Sequence, residues 1–541
     1  MILGFLRGQN HAVGSNRAGA AAPPSWAYLL PSLEALHPHA VGSIHTDTVH
    51  GLRSWGEVGT LSPGCLPPAH CRLLLLGPGM PAAWLADLRG ATRAMSVWID
   101  GNAETHVAPA LGAGDPWWLL PEDAPRAEPG RPGERAAFCL AKPALAGGLT
   151  GLALRIAGRV TRRLGLQRHA IAASIAYARP SVPGGPPHAG AAPAGTLLRP
   201  AGAGPGPPEW LECVARDAGH EIARRAWGFL PSRGFLSQKV VFVLGAGAGA
   251  DGGADGGEAL AVKITQHPAF NARLENERRA LGLVGSLPGL PRGSTPRECF
   301  GATHRGLTIV GESVLHGVPF PMRSTGRADC AVARRAADWI VTLVISTAKP
   351  ASGADHAAAI RDVTSRLRTQ YPPDDAVERA VEDALRTLER LAGVPTAFLH
   401  GDPGEWNVLV SEEGGVGFLD WENAESSGPP TWDLASYLLS YTRFGLERDG
   451  IRPTPASTAR RLLEPSPLAD LLVNRHLDLA RRLEMPREAI EPLFVLHSAV
   501  AAVREAWRLS PGATGRGPAF RWLQELARRR ASSPTLVRLR G

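Results

Sequence analysis

A chain of 541 residues is too long for one hydrophobic core, since single cores stop growing at roughly 250–300 residues, so two or more domains are expected. Its 44% hydrophobic and 20% charged content is that of a soluble globular protein, and no apolar stretch is long and clean enough to span a bilayer. The net charge of +8 raises nucleic acid as a partner, but the basic residues are nearly all arginines and are spread along the chain, and no nucleic-acid binding is expected.

The opening Met1 to Leu6, followed by Arg7, has too short an apolar core and its charge on the wrong side for a secretory signal, which makes a cytoplasmic location the expectation. The six cysteines are scattered, as suits a reducing compartment. Cys65 and Cys71, with His70 beside them, invite a metal reading, but no second ligand pair stands at a recognised spacing, and ordinary thiols are expected. Leu73–Leu76 with Gly77-Pro78-Gly79 reads as strand and turn, 82–88 as a helix start, and 97–100 as a second strand ending in Asp100. That layout is Rossmann-like, with the acid where a ribose hydroxyl would bind. GPGMPA is not GxGxxG, and Pro78 and Pro81 remove amides that a cofactor would meet. A non-binding α/β accessory region is therefore expected, with a methyl-donor site near Gly77 and Asp100 as the alternative. Over 149–168 the residues Leu149, Leu152, Ile156, Val160 and Leu164 share one helical face, opposite Arg155, Arg159, Arg162 and Arg163. Packing against a neighbouring domain is expected there, and peripheral contact with an anionic membrane is the alternative.

The run RPSVPGGPPHAGAAPAGTLLRPAGAGPGPP over 179–208 is too rich in Pro, Gly and Ala to build a core and reads as a linker. It separates an N-terminal region, 1–178, from a C-terminal one, 209–541. In the latter, Lys239–Leu244 and 259–264 are β-branched runs that predict a hairpin. The glycines between them lack GxxxxGK[ST], and no helix follows to offer its N-terminus, so they are expected to form a hairpin tip rather than a phosphate cradle. Asn271 is a good N-cap for a helix with Leu274, Leu281 and Val284 on one side. Further helices are predicted over Ala331–Thr347, 375–391, 471–483 and 488–507.

The strongest signal is FLHGDPGEWNVLVSEEGGVGFLDWE, 398–422. Val408–Val410 and 416–419 flank the turn-forming Glu413-Gly414-Gly415 and should pair, which places Asn407 and Asp420 together at the open end of a hairpin, where one cation could touch both. Asp402 sits on the preceding loop, close enough to share that pocket. Phosphoryl transfer asks for this set: oxygen ligands for Mg²⁺, a carboxylate to orient and deprotonate a hydroxyl, and a lysine on the phosphates. Lys263, in Ala261-Val262-Lys263-Ile264, supplies the lysine in a strand context close to V-A-I-K. Glu277 lies on the following helix where a partner would orient it, and Glu275 competes for that place.

His400-Gly401-Asp402, Asn407 and Leu419-Asp420-Trp421-Glu422, with Asp433-Leu434-Ala435 beyond, resemble the H-G-D-x-x-x-x-N, [IL]-D-[WF]-E and D-L-A signatures of the aminoglycoside phosphotransferase and choline kinase-like family. The resemblance covers about 209–541. It implies an α+β, bilobal protein-kinase-like domain, with a small β-rich N-lobe at about 209–311 and a mainly helical C-lobe at about 312–541, preceded by the α/β region. It implies Asp402 as catalytic base, Asn407 and Asp420 as magnesium ligands, Lys263 as the phosphate-binding lysine with Glu277 as ion-pair partner, and His400 and Asp433 as supports of the loop. Val310-Gly311-Glu312-Ser313-Val314 resembles the hinge that binds adenine, which would put Glu312 and Val314 against the cofactor. Pro403 and Glu405 depart from the loop's usual residues, and Ser232-Arg233-Gly234-Phe235-Leu236-Ser237, the expected lid over the nucleotide, holds a single glycine.

The expectation is an ATP-dependent (GTP being possible), Mg²⁺-dependent phosphotransferase acting on a hydroxyl of a small molecule. The alternatives are a catalytically retired kinase-fold binding module and a bifunctional protein with an N-terminal cofactor site. A polycationic aminoglycoside would want an acidic cleft, whereas this chain ends with Arg528-Arg529-Arg530 and Val537-Arg538-Leu539-Arg540-Gly541. A sugar, amino alcohol or glycan precursor fits that charge better.

Overall fold

The computed structural model describes residues 207–223, 225, 227–230, 239–245, 258–372, 374–506 and 517–540, and ahead of them the segments 39–41, 57–61, 73–76, 96–100, 118–120, 128–129 and 195–198. The expected helices at 82–88 and 149–168, the lid at 232–237 and most of the glycine run before 258 lie outside the described residues. The chain divides into two compact units, one of Ala18–Glu275 with Arg297–Val314, the other of Met1–Arg17, Asn276–Pro296 and Leu315–Gly541.

The first unit opens with β1 (His39–Val41), β2 (Gly59–Leu61), β3 (Leu73–Leu76), β4 (Ser96–Asp100), β5 (Trp118–Leu120), β6 (Glu128–Pro129) and β7 (Gly195–Leu198). They form one sheet in the order β2-β1-β3-β4-β7-β5-β6. The β2, β1, β3 and β4 strands run parallel, and β7 is antiparallel to both its neighbours. The sequence expectation of a linker throughout 179–208 therefore needs correcting, because β7 lies inside it. Thr196, Leu197 and Leu198 are an island of strand-forming residues among Pro, Gly and Ala, and their pairing with β4 and β5 supplies partners that local composition does not reveal.

Helix α1 (Glu209–Asp217) then leads to β8 (Trp227–Leu230), β9 (Lys239–Leu244), β10 (Leu260–Thr265), the start of α2 (Asn271–Val284), β11 (Glu298–His304) and β12 (Leu307–Ser313). The five strands form an antiparallel sheet in the order β11-β12-β10-β9-β8. The expected β9–β10 hairpin is present, with Val262 opposite Phe242 and Lys263 opposite Val241. Because side chains alternate along a strand, register divides the sheet chemically. Val240, Phe242, Leu244, Leu260, Val262, Ile264 and Ile309 join Trp210 and Leu211 of α1 in one buried cluster, which also contains Ala40, Val58 and Leu75. The other face presents Lys239, Val241, Val243, Ala261, Lys263, Thr265, Thr308, Val310 and Glu312. Asn271 is not the N-cap expected of it. The chain enters α2 through a 3-10 turn, Pro268–Phe270, capped by His267, and the Asn271 amide instead ties down the β11–β12 turn, donating to Gly306 O at 2.7 Å and accepting from Thr308 N at 3.0 Å.

The second unit takes up α2 after Glu275. It continues through β13 (Val318–Pro319), α3 (Ala331–Thr347), α4 (Gly353–Ser365), α5 (Leu367–Gln370), α6 (Asp375–Glu389), β14 (Ala397–Leu399), β15 (Val408–Val410), β16 (Val416–Phe418), β17 (Glu425–Gly428), α7 (Trp432–Arg448), α8 (Pro455–Leu463), α9 (Pro467–Arg482), α10 (Ile490–Ala506), α11 (Pro518–Arg529) and α12 (Pro534–Arg540). The apolar stripes of α3, α6, α7, α9 and α10 meet in one large core that also takes Leu281 and Val284 of α2. Helix α9 starts four residues before its expected position, because Ser466 caps it and Pro467 occupies the first turn, a position where proline's missing amide costs nothing. Among the described residues no helix is long and apolar enough to cross a membrane. The α+β architecture expected from the sequence is therefore present: a small antiparallel sheet with its helix, and a mainly helical body that carries a short hairpin, the parts of a protein-kinase-like fold.

Candidate active site

The loop from His400 to Asn407 is held by its backbone. Strand β14 delivers it, and Asp433, in the first turn of α7, accepts the amides of His400 at 2.6 Å and Gly401 at 3.0 Å. Burial pushes the Asp433 carboxyl up to about 7, against the pull of those two donors. Gly401 has φ +81°, and a Cβ there would stand 2.0 Å from the Asn423 carbonyl oxygen. Both the left-handed backbone and the close approach require glycine. His400 is fully buried, its ring 4.3 Å from that of Trp421. Its Nδ1 accepts the Asp402 amide at 3.3 Å, so Nε2 carries the proton and donates to Leu419 O at 2.9 Å. Burial pushes this imidazole down to about 4, despite the Asp420 carboxylate nearby. A neutral histidine thus fastens the loop to the hairpin that follows.

The β15–β16 hairpin has the expected register, Val408 opposite Phe418, and the Leu419 amide donates to Asn407 O at 2.9 Å. Asn407 and Asp420 are thereby side by side at its open end. Asn407 Nδ2 donates to Asp402 O at 2.9 Å and to Asp402 Oδ2 at 3.3 Å. With the nitrogen committed to two oxygens, the amide oxygen is the end left to meet a cation. Asp420 has φ +68° and, although it precedes the 3-10 turn Trp421–Asn423, its carboxylate does not cap that turn. A left-handed non-glycine residue is uncommon and marks a site whose surroundings over-determine it. An amide oxygen and a carboxylate are hard ligands that suit Mg²⁺, which takes one or two protein groups and completes its shell with phosphate and water oxygens. Among the described residues no group of three or more His, Cys, Asp or Glu could hold a metal by itself, and a cation here would take the rest of its shell from phosphate or water oxygens. The residues present fit that requirement.

Glu277 is the buried glutamate of α2, while Glu275 is exposed and accepts from Thr308 Oγ1 at 3.4 Å. Glu277 Oε1 accepts the Trp421 amide at 3.1 Å. Asn276 beside it donates to the carbonyls of Glu422 at 3.0 Å and Ala424 at 2.8 Å. Helix α2 therefore grips the segment just after Asp420, a role that sequence reading missed. The alternation of carboxylate and amide at 276 and 277 next to a buried helical face was its only signal.

In the other unit, Lys263 Nζ lies 2.7 Å from Glu312 Oε1, with side chains only 8% and 3% exposed. Lys263 faces Val310 across the β10–β12 ladder, and Glu312 is the next residue on that face. This differs from the expectation that Glu312 belongs to a hinge. It stands within β12, paired on both sides, at Ala261 and at Glu298, with its carboxylate turned onto the lysine. The Val314 amide donates to Ala259 O at 3.0 Å, so it is not available to an adenine ring.

Residues 322–455 match the model of the phosphotransferase enzyme family, a span that contains the loop, the hairpin and Asp433. No protein of curated function matches the chain. Among solved structures, a thermostable mutant of aminoglycoside phosphotransferase APH(4)-Ia is 16% identical over 56% of this chain and 94% of that one, with a TM-score of 0.36. Aminoglycoside phosphotransferase APH(3'')-Id from Streptomyces rimosus, in complex with ADP and streptomycin, is 17% identical over 50% of this chain and 91% of that one, at 0.30. Plasmodium vivax ethanolamine kinase is 11% identical over 58% and 84%, at 0.34. Likenesses this distant assign neither a substrate nor a residue's role. The resemblance read from the motif is met on its own ground: residues 322–455 in the C-terminal region are similar to the phosphotransferase enzyme family.

Proposed function

We propose that the chain transfers the γ-phosphate of ATP, or of GTP, to a hydroxyl of a small molecule, using Mg²⁺. The observation that carries this reading is the grouping of Asp402, Asn407 and Asp420 by one loop and one hairpin. Asp402 takes the hydroxyl proton, a general-base contribution of about 10²–10⁴-fold. Asn407 and Asp420 would hold the magnesium ion, which when bound neutralises charge on the phosphate oxygens. Lys263 is the phosphate-binding lysine, aimed by Glu312. Glu277 positions the Asp420 turn through the Trp421 amide, and His400 and Asp433 hold the loop. Adenine recognition then falls to hinge groups other than the Val314 amide. We assign this kinase domain to 209–541, with an N-terminal region of separate role before it. A sugar, amino alcohol or glycan precursor is the acceptor class, in preference to an aminoglycoside.

Calorimetric titration of the full chain with ATP and GTP, with and without Mg²⁺, tests the reading. Magnesium-dependent binding that Asp420→Ala abolishes supports it. Failure to bind either nucleotide would replace it with a kinase-fold module that binds without catalysing.

One observation favours a second site. The β2, β1, β3 and β4 strands are mutually parallel and the chain order reverses at β1, and open α/β sheets bind ligands beyond the carboxyl ends of their strands at such a reversal. Asp100 closes β4 at that end. Titration of the full chain with S-adenosylmethionine checks this, and absence of heat would remove it.

A further inference from the structure

The chain reaches Asp420 through β16, and one edge of that strand is paired with β15. The other edge meets the loop between α2 and β11, where Ser294 O accepts the Phe418 amide at 2.8 Å. A Cβ on Gly417 would stand 3.0 Å from the same Ser294 oxygen, so the loop lies close against the strand at both residues. Ser294 is buried, and its hydroxyl is taken as well. Trp339, buried on α3, donates from Nε1 to Ser294 Oγ at 2.9 Å, while its indole stacks on the Phe418 ring at 4.3 Å between centroids and 25° between planes.

The contacts close a circuit: indole to serine hydroxyl, serine carbonyl to Phe418 amide, Phe418 ring back to the indole. All of it lies in one compact unit, because Asn276–Pro296 belongs with Leu315–Gly541. Stacking alone would let the loop slide along the ring face. A hydrogen bond at the ring's edge has a direction and sets where the loop stands along the strand. The circuit therefore fixes both the backbone and the side chain of Phe418, two residues before Asp420. A left-handed non-glycine residue persists only where its surroundings over-determine it. For Asp420, at φ +68°, one stretch of chain holds both sides: Glu277 of α2 takes the Trp421 amide that follows, and the loop after α2 takes the Phe418 amide that precedes.

We propose that Ser294 is a positioning residue for the magnesium site: tied by Trp339, it holds β16 so that the Asp420 carboxylate stands beside Asn407. The magnesium role rests on the phosphotransferase reading; the coupling of Ser294 to the Asp420 segment does not.

The core contains a control of the same chemistry. Trp522 donates to Ser498 Oγ at 3.0 Å, also buried, and joins α11 to α10, neither of which carries a residue of the loop or the hairpin. Ser294→Ala and Ser498→Ala each take the serine acceptor from a buried indole, so both should lower the denaturation midpoint of the full chain. Only Ser294→Ala should weaken magnesium-dependent ATP binding, by about two- to tenfold, the scale of one hydrogen bond, with ATP binding in the absence of Mg²⁺ unchanged. Equal loss of affinity in the two variants, or no loss in Ser294→Ala, overturns the proposal by making the bond a support of the fold alone. Hydrogen exchange over 416–424, measured without nucleotide, should quicken in Ser294→Ala and not in Ser498→Ala. Unchanged exchange in Ser294→Ala overturns the proposal whether or not the chain binds nucleotide. If the unsubstituted chain binds no nucleotide, the magnesium role falls with the phosphotransferase reading, and quickened exchange still establishes the coupling.

Discussion

Asp402 and Lys263 are both fixed by their surroundings, but through different kinds of bond. The loop around Asp402 is tied by backbone amides: to the Asp433 carboxylate, to the His400 ring, and from the hairpin onto Asn407 O. Lys263 is instead held by a side-chain ion pair with Glu312 on a buried sheet face. A position set by backbone bonds survives changes to its own side chain. A position set by charge balance fails when one charge goes, because the partner is left buried and uncompensated. Each region therefore predicts a different separation of activity from stability.

The largest effect is expected at Asp402. Asp402→Asn should reduce phosphate transfer by about 10²–10⁴-fold and leave the denaturation midpoint nearly unmoved, since Asn407 keeps the backbone oxygen of residue 402 as its closer acceptor. A midpoint that falls with the activity would break the comparison by showing that the loop depends on the charge it carries. Lys263→Met should do the opposite to stability, costing about 3–5 kcal/mol by removing one partner of the buried Lys263–Glu312 pair, measured by denaturant unfolding. Replacing both, Lys263→Met with Glu312→Leu, should recover most of that loss. A double variant no more stable than the single one would show that the pair is not what holds this face together.

Acid reports on the loop's side of the comparison. Burial pushes His400 and His476 down to about 4 and His497 to about 3. All three lie in the unit that carries Asp402. Their unfolded forms take up protons through about pH 6.5, so the folded state loses ground as pH falls from 6.5 toward 4, by on the order of 3 kcal/mol for each histidine. Asp433 works against this. Its raised carboxyl favours the folded state as pH falls from about 7 toward 3.8. Three groups outweigh one, so the unfolding midpoint should decline steadily across that window. A flat profile would mean that these rings are not held neutral.

How much of this was legible beforehand depended on the range of the interactions involved. The 408–419 hairpin, the span of α3 and the adjacency of Asn407 and Asp420 follow from turn residues and apolar runs a few positions apart, and these the sequence displays. Strand β7 did not show, because Thr196-Leu197-Leu198 becomes a strand only by meeting β4 and β5. The Lys263–Glu312 pair was hidden for a similar reason: 49 positions separate its members, and only the β10–β12 register puts them on one face. Gly401 stood in the motif, but the need for it, the Asn423 carbonyl 2.0 Å from where a Cβ would sit, comes from a segment 22 positions away.

The smallest expected effect separates two ways in which α2 could serve the Asp420 turn. Asn276 gives both amide hydrogens to the carbonyls of Glu422 and Ala424, while Glu277 takes the Trp421 amide, so three bonds clamp the chain at Trp421, Glu422 and Ala424, just after Asp420. Removing the neutral donor alone, Asn276→Ala, forfeits two ordinary hydrogen bonds and should cost about 1–3 kcal/mol, with magnesium-dependent nucleotide affinity weakened severalfold because the Asp420 backbone, at φ +68°, relaxes once its far side is loose. If stability falls but affinity holds, Glu277 alone sets the turn and Asn276 only packs the helix. If affinity falls as far as in Asp420→Ala, the helix rather than the hairpin decides where Asp420 stands, and the backbone-held character of this region would extend to α2.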